Sequence, residues 1–152
     1  MEKLILVRHG FYKHEHGLDL GLFPEWIEIT SDLGKKLQPF APSGKCVRIL
    51  TSPFRRCVET GQILAKVLGT EPSAHKELQT PTRAFELIKK LSASAEVVIA
   101  VLQNDHPYKV AEEVMVNRGK PKPGFFNIRH AEAAVIDWGS CAIKIISPES
   151  SG

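Results

Sequence analysis

Apolar residues along this chain fall into short unbroken runs, separated by longer stretches where they recur every three or four positions. Leu4-Ile5-Leu6-Val7, Val47-Arg48-Ile49-Leu50-Thr51-Ser52 and Val97-Val98-Ile99-Ala100-Val101-Leu102 have the length and β-branched content of buried strands. Residues 133–138 and 142–146 predict two more, joined across Gly139-Ser140 as a hairpin, and 71–74 predicts a short edge strand. Helical spacing fills the intervals. A first helix opens with Thr30 or Ser31 as N-cap, places Leu33 and Leu37 on one face, and is ended by Pro39 and Pro42. A second starts at Ser52-Pro53, a capping serine before a proline suited to the first helical position. It runs to Leu68, turns Phe54, Cys57, Val58, Gly61 and Leu64 toward the sheet, and stops at Gly69. A third is predicted over 83–91 with Phe85, Ile88 and Leu91 inward, and a fourth over 108–116 with Val110, Val114 and Met115 inward. Residues 11–26 lack a clean period and read as a loop, 117–124 as a turn-rich loop, and 148–152 as a frayed tail. The order predicts an α/β protein: a three-layer α/β/α sandwich with a mostly parallel central sheet and a C-terminal hairpin, in one domain over 1–152.

Composition narrows the class. The chain has 152 residues, 43% hydrophobic and 24% charged, which is ordinary for a globular domain large enough to bury a core. No apolar stretch approaches the ~18 residues of a membrane span. The N-terminal run is too short for a signal-peptide core and has Glu2 beside it, so the expectation is a cytoplasmic protein without membrane association. Cys46, Cys57 and Cys141 form no CxxC pair and read as thiols in a reducing compartment. The formal charge of +3 is spread along the chain rather than gathered on one element, which argues against nucleic acid as a partner.

Chemistry gathers at the ends of the predicted parallel strands, where open α/β sheets bind ligands. The first strand delivers Arg8-His9-Gly10: a planar donor fork, a nucleophile or base, and a residue that permits close backbone approach. The second delivers Ser52 and then Arg55 and Arg56 in the first helical turn. Basic groups oppose the helix dipole there, unless an anion is bound. The third delivers Asp105-His106-Pro107. Parallel strands put these tips on one edge. His14 and His16, lacking carboxylate or cysteine company, read as solvated loop residues rather than metal ligands. Arg129-His130 repeats the first dipeptide but precedes a strand, so it is expected at the opposite edge, away from the site. Neither Cys46 nor Cys57 has an arginine six residues on, which excludes a cysteine-based phosphatase.

With Arg8-His9-Gly10, the segment Ser52-Pro53-Phe54-Arg55-Arg56-Cys57-Val58-Glu59-Thr60, His106-Pro107 and Thr30-x-x-Leu33-Gly34, the chain resembles the histidine phosphatase (phosphoglycerate mutase-like) superfamily over about residues 3–147. By size it is most similar to the small bacterial SixA-type phosphohistidine phosphatases. The resemblance implies that His9 is the nucleophile, that Arg8, Arg56 and His106 hold the phosphoryl oxygens, and that Gly10 and Ser52 line the same pocket. It implies no metal and no cofactor. The chemistry agrees, since phosphoryl transfer is mostly positioning and charge stabilisation around an in-line attack.

Two departures bear on substrate. Asp105 stands where many members have glycine, and Leu78-Gln79-Thr80 puts threonine where an acid is common. Glu77 and Asp105 are the candidate general acids. A site without a dedicated acid suits cleavage of a phosphoramidate, whose imidazole leaves far more easily than an alkoxide. The expected substrate is therefore phosphohistidine on a protein such as a histidine-containing phosphotransfer domain. The alternatives are a phosphatase of small phosphorylated metabolites and a non-catalytic module that binds a phospho-ligand.

Overall fold

The computed structural model describes residues 1–149. Its central sheet has six strands in the order β5-β4-β6-β1-β7-β8. These are β1 (Lys3–Arg8), β4 (Val47–Thr51), β5 (Pro72–Ala74), β6 (Val97–Leu102), β7 (Ala133–Asp137) and β8 (Ile143–Ile146). β5, β4, β6 and β1 are parallel, with Arg8 level with Leu102. β7 is antiparallel to β1, and β8 is antiparallel to β7.

Side chains alternate across the pleat, and both faces are covered. Leu4, Leu6, Leu50, Val98, Ala100 and Leu102 pack against α3 (Pro81–Leu91) and α4 (His106–Asn117). Ile5, Val7, Ile49, Val97, Ile99 and Val101 pack against α1 (Pro24–Leu37) and α2 (Arg55–Leu68) on the other face. The result is the expected three-layer sandwich with its C-terminal hairpin. Gly61 lets α2 settle on β4, because a Cβ there would stand 2.3 Å from Thr51 Cγ2.

Several expectations are corrected. Residues 12–22 are not a loop but an antiparallel hairpin, β2 (Tyr12–Glu15) and β3 (Leu18–Leu22). It is closed by His16 and Gly17 with positive φ at both, the conformation that matches strand twist in a two-residue turn. α1 begins at Pro24, with proline in its first turn, so Thr30 is a buried residue of the helix interior rather than its cap. α2 begins at Arg55 with Phe54 as N-cap, not at Ser52-Pro53. α3 begins at Pro81 and α4 at His106, each two residues earlier than expected. The edge strand β5 and the αL stop at Gly69 are as expected. Of the tail expected to fray, residues 150–152 lie outside the described residues. Among the described residues no helix is long and apolar enough to cross a membrane.

Candidate active site

His9 follows the last residue of β1, and its backbone N–H donates to Leu102 O on β6 at 3.2 Å. The side chain is 1% exposed. Its Nδ1 lies 2.8 Å from Gly10 O. A carbonyl oxygen only accepts, so Nδ1 holds the proton of the neutral ring and Nε2 keeps a free lone pair. Burial lowers the imidazole pKa from 6.5 to about 4; the Gly10 hydrogen bond works against this, while Arg56, His130 and Arg8 add to it. At neutral pH His9 is therefore an uncharged imidazole with one nitrogen available for attack.

Two guanidiniums flank it. Arg8 donates through an Nη to Ile128 O at 3.3 Å, and its buried Nε has no partner. Arg56 lies between the rings of Tyr12 and Phe54, each centroid 4.5 Å from its Cζ, and its Nε is likewise buried and unpartnered. Tyr12 meets His9 edge-on, with 5.3 Å between ring centroids. Ser52, buried just past the end of β4, has the Cys57 thiol as the neighbour of its Oγ. Buried polar groups are ordinarily satisfied, so open donors around a neutral imidazole describe a place for an anion. Gly10 is held beside them: its N–H donates to Thr60 Oγ1 at 3.0 Å, and that hydroxyl donates to Arg56 O at 2.7 Å.

Asp19, on β3, was not foreseen. Its Oδ2 accepts from Arg56 N at 2.9 Å and from an Arg56 Nη at 3.2 Å, while Oδ1 accepts from Gly21 N at 2.9 Å. Asp19 thus caps α2 from another element, supplying the acceptor that its own N-cap lacks. Arg55 points outward to a 2.7 Å ion pair with Glu59, whose other oxygen accepts from Leu22 N.

The third tip departs from expectation. One residue beyond the strand end, where β1 places His9 and β4 places Ser52, β6 places Gln103. Gln103 is 4% exposed, donates to Gln79 O, and leaves its Oε1 without a partner. Asn104, at φ +54°, and Asp105 then separate the strand from His106, which becomes the first residue of α4. Among the described residues no hydrogen bond, ion pair or ring contact joins His106 to Arg8, His9 or Arg56. Burial lowers the His106 pKa, and the charges that act on it are those of Asp105 and Lys109. Asp105 is turned along the helix surface to Lys109 at 3.3 Å, and Glu77 lies in the single 3-10 turn after β5; neither joins the His9 cluster.

The second imidazole at His9 is instead His130, with 5.2 Å between ring centroids and its Nδ1 3.2 Å from His9 O. Its expected position at the far edge is overturned by strand direction. An antiparallel strand starts where its parallel-running neighbour ends, so the residues entering β7 meet the tip of β1. Ala131 N donates to Arg8 O at 3.0 Å, and Arg8 N to Glu132 O at 3.1 Å. Cys57 is buried against α2's sheet-facing side with its thiol pushed up to about 12, so it is protonated and inert.

A neutral imidazole with two guanidiniums beside it, at the carboxyl edge of a doubly covered sheet, is an arrangement suited to phosphoryl transfer. The family model of the histidine phosphatase superfamily (branch 1) matches residues 4–80, the half of the chain that contains Arg8, His9 and Arg56. The chain belongs to the histidine phosphatase superfamily and is a hydrolase of the phosphatase kind. A proposed phosphohistidine phosphatase SixA from Agrobacterium tumefaciens superposes with TM-score 0.73 at 16% identity, over 97% of this chain and 99% of that one. The corresponding SixA from Nakamurella multipartita (TM-score 0.73, 15% identity) is covered over 95% of this chain and 93% of that one. A mycobacterial glucosyl-3-phosphoglycerate phosphatase matches with TM-score 0.71 at 12% identity, over 95% of this chain and 97% of that one. At such identities the likeness is one of fold. No curated protein matches the chain in sequence.

Proposed function

We propose that the protein is a phosphatase working through a phosphohistidine on His9, with phosphohistidine on a protein as its substrate. The observation behind this reading is the His9 imidazole, neutral, fixed through Nδ1 and set between Arg8 and Arg56. Nε2 attacks phosphorus, the bond to the leaving group breaks, and the guanidiniums meet the charge on the equatorial oxygens. Water then cleaves the P–N bond and returns neutral His9. Arg8 and Arg56 supply the charge neutralisation, so the reading invokes no metal. In this reading Gly10 and Ser52 belong to the phosphoryl-binding site.

The substrate class rests on leaving-group chemistry. Asp19 is engaged by Arg56 and Asp105 by Lys109, and among the described residues no hydrogen bond or ion pair joins either candidate acid, Glu77 or Asp105, to His9. An imidazole leaving group needs less help. A phosphorylated histidine-containing phosphotransfer domain is the partner this favours, with small phosphorylated metabolites as the competing class.

The test compares turnover of such a phosphorylated domain with that of an aryl phosphate and of small alkyl phosphates, using His9→Ala as control. Acid-labile phosphate should be trapped on the wild type and be absent from the variant. Faster turnover of small phosphomonoesters would move the substrate to the second class. No turnover of any of them, with phosphate or vanadate still bound, would overturn the reading.

A further inference from the structure

His9 is almost fully enclosed, whereas His130 touches it and also opens outward. Beyond His130 lies a cleft of about 400 Å³ lined by Trp26, Ile29, Asp32, Arg129 and Glu132. The His130 ring is held at 5.3 Å from Phe11 and 6.0 Å from Trp26, edge-on to both, and at 5.2 Å from His9. Its Nδ1–H donates to His9 O, which fixes the tautomer and leaves Nε2 as the exchangeable nitrogen. Beside Arg56 the carboxylate is Asp19, which is committed to Arg56 and to Gly21.

We propose that His130 is the proton carrier of the reaction, a catalytic residue serving the leaving group first and the attacking water second, in the cleft that receives the leaving group. The proposal rests on His9 as nucleophile. In the first half-reaction His9 Nε2 forms the P–N bond as the bond to the leaving group breaks, and His130 Nε2–H gives that group its proton. His130 is then neutral. In the second half-reaction water attacks phosphorus, His130 Nε2 takes its proton, and the electron pair of the breaking P–N bond returns to His9. When phosphate leaves, the proton on His130 returns to solvent, and the next substrate brings one back, so the cycle closes with water as the only other reagent.

The charges around His130 fit this alternation. Arg8 on β1 disfavours its protonation, and Arg129 and Glu132, with Asp32 on α1 and Glu149 across the cleft, line the same space. Burial and Arg8 lower its pKa, against the hydrogen bond to His9 O, and so favour the neutral ring in the free protein. A phosphoryl dianion set between Arg8 and Arg56 offsets the guanidinium charge and raises it, which couples proton uptake to substrate binding.

The test is His130→Asn, whose amide N–H can replace the donor to His9 O, assayed on an alkyl and an aryl phosphate with phosphoenzyme trapping. General acid loss should lower kcat/KM on the alkyl ester by ~10²–10³-fold and on the aryl ester, whose phenolate leaves unaided, by less than ~10-fold. Acid-labile phosphoenzyme should accumulate on the aryl ester. Equal losses on both esters, or activity unchanged, overturn the proposal. In the wild type, NMR titration of His130 should move to higher pH on adding inorganic phosphate, and a static titration also overturns it. Phosphoenzyme on the wild type but not on His9→Ala upholds the underlying reading whatever His130→Asn does; a wild type that turns over without any phosphoenzyme sinks both.

Discussion

Asp19→Asn should make the protein less stable and a better binder of phosphate at the same time. The native carboxylate accepts from the α2 backbone at Arg56, from the Arg56 guanidinium and from Gly21 N, and its side chain is only 15% exposed. Asparagine keeps an acceptor oxygen but loses the charge, turning charge-assisted bonds into neutral ones and costing about 1–2 kcal/mol. For a chain of this length that is a fall in Tm of roughly 2–8 °C. Arg56 stays in place because Tyr12 and Phe54 sandwich it, each contact contributing ~0.5–2 kcal/mol. A phosphate on the open side of the same guanidinium would sit ~6 Å from the Asp19 charge. At an effective dielectric between about 20 and 80, that repulsion is roughly 0.7–3 kcal/mol per unit charge. Removing it should tighten binding of inorganic phosphate about tenfold, where each tenfold is ~1.4 kcal/mol. Calorimetric titration with phosphate, beside thermal melts, separates the two effects. If affinity falls together with stability, Asp19 positions Arg56 rather than competing for it, and the reasoning is refuted.

Acid should destabilise the fold through His9. Its folded pKa of about 4 lies below the unfolded 6.5, so its contribution is intact above pH 6.5 and is lost as pH falls toward 4, by up to about 3 kcal/mol. His106 and His130, also lowered, act with the same sign. His9→Asn should flatten this part of the stability–pH curve without abolishing it, as urea midpoints across the range will show. Gly61→Ala should cost about 1–3 kcal/mol through the clash with Thr51 Cγ2, less the ~0.5–1 that alanine returns to a helix, and Thr51→Ser in the same chain should recover most of it in thermal melts. His106→Ala should leave phosphoenzyme formation within about threefold of wild type at saturating substrate, since nothing joins that ring to His9; a loss near the ~10² of an essential proton-transfer group would return it to the site.

The sheet was legible because its strands are buried on both faces and so read as continuous apolar runs; β6 has the predicted bounds to the residue. The β2–β3 hairpin was hidden for the opposite reason. Lys13, His14 and Glu15 are all exposed, so no alternation marks the strand. Thr30-Ser31-Asp32 imitates a helix start, yet Phe23-Pro24 is the true one. At the site, Arg8, His9 and Arg56 followed from strand tips and helix spacing. Asp19 caps α2 from 37 residues away in sequence, which no local pattern shows. Gln103, not His106, directly follows β6, because Asn104-Asp105 intervenes before α4 and the apolar run alone does not show that spacing. Sequence order alone sends His130 to the far edge, because it leaves strand direction out.

The reversal at β7 also decides which end of the polypeptide neighbours the chemistry. β8 runs back toward the catalytic edge, pairing Ile146 with Ala133, and the chain then passes Ser147, Pro148 and Glu149 along the wall of the His130 cleft. Lys36 fastens this segment by donating to the carbonyls of Ser147 and Glu149. The amino terminus lies at the other edge of the sheet, its ammonium bound to Ser92 O at 2.9 Å. The described chain ends at the cleft wall with Glu149, while Met1 lies at the opposite end of β1. Immobilising the protein through its amino terminus therefore leaves the edge that carries His9 and His130 facing solution.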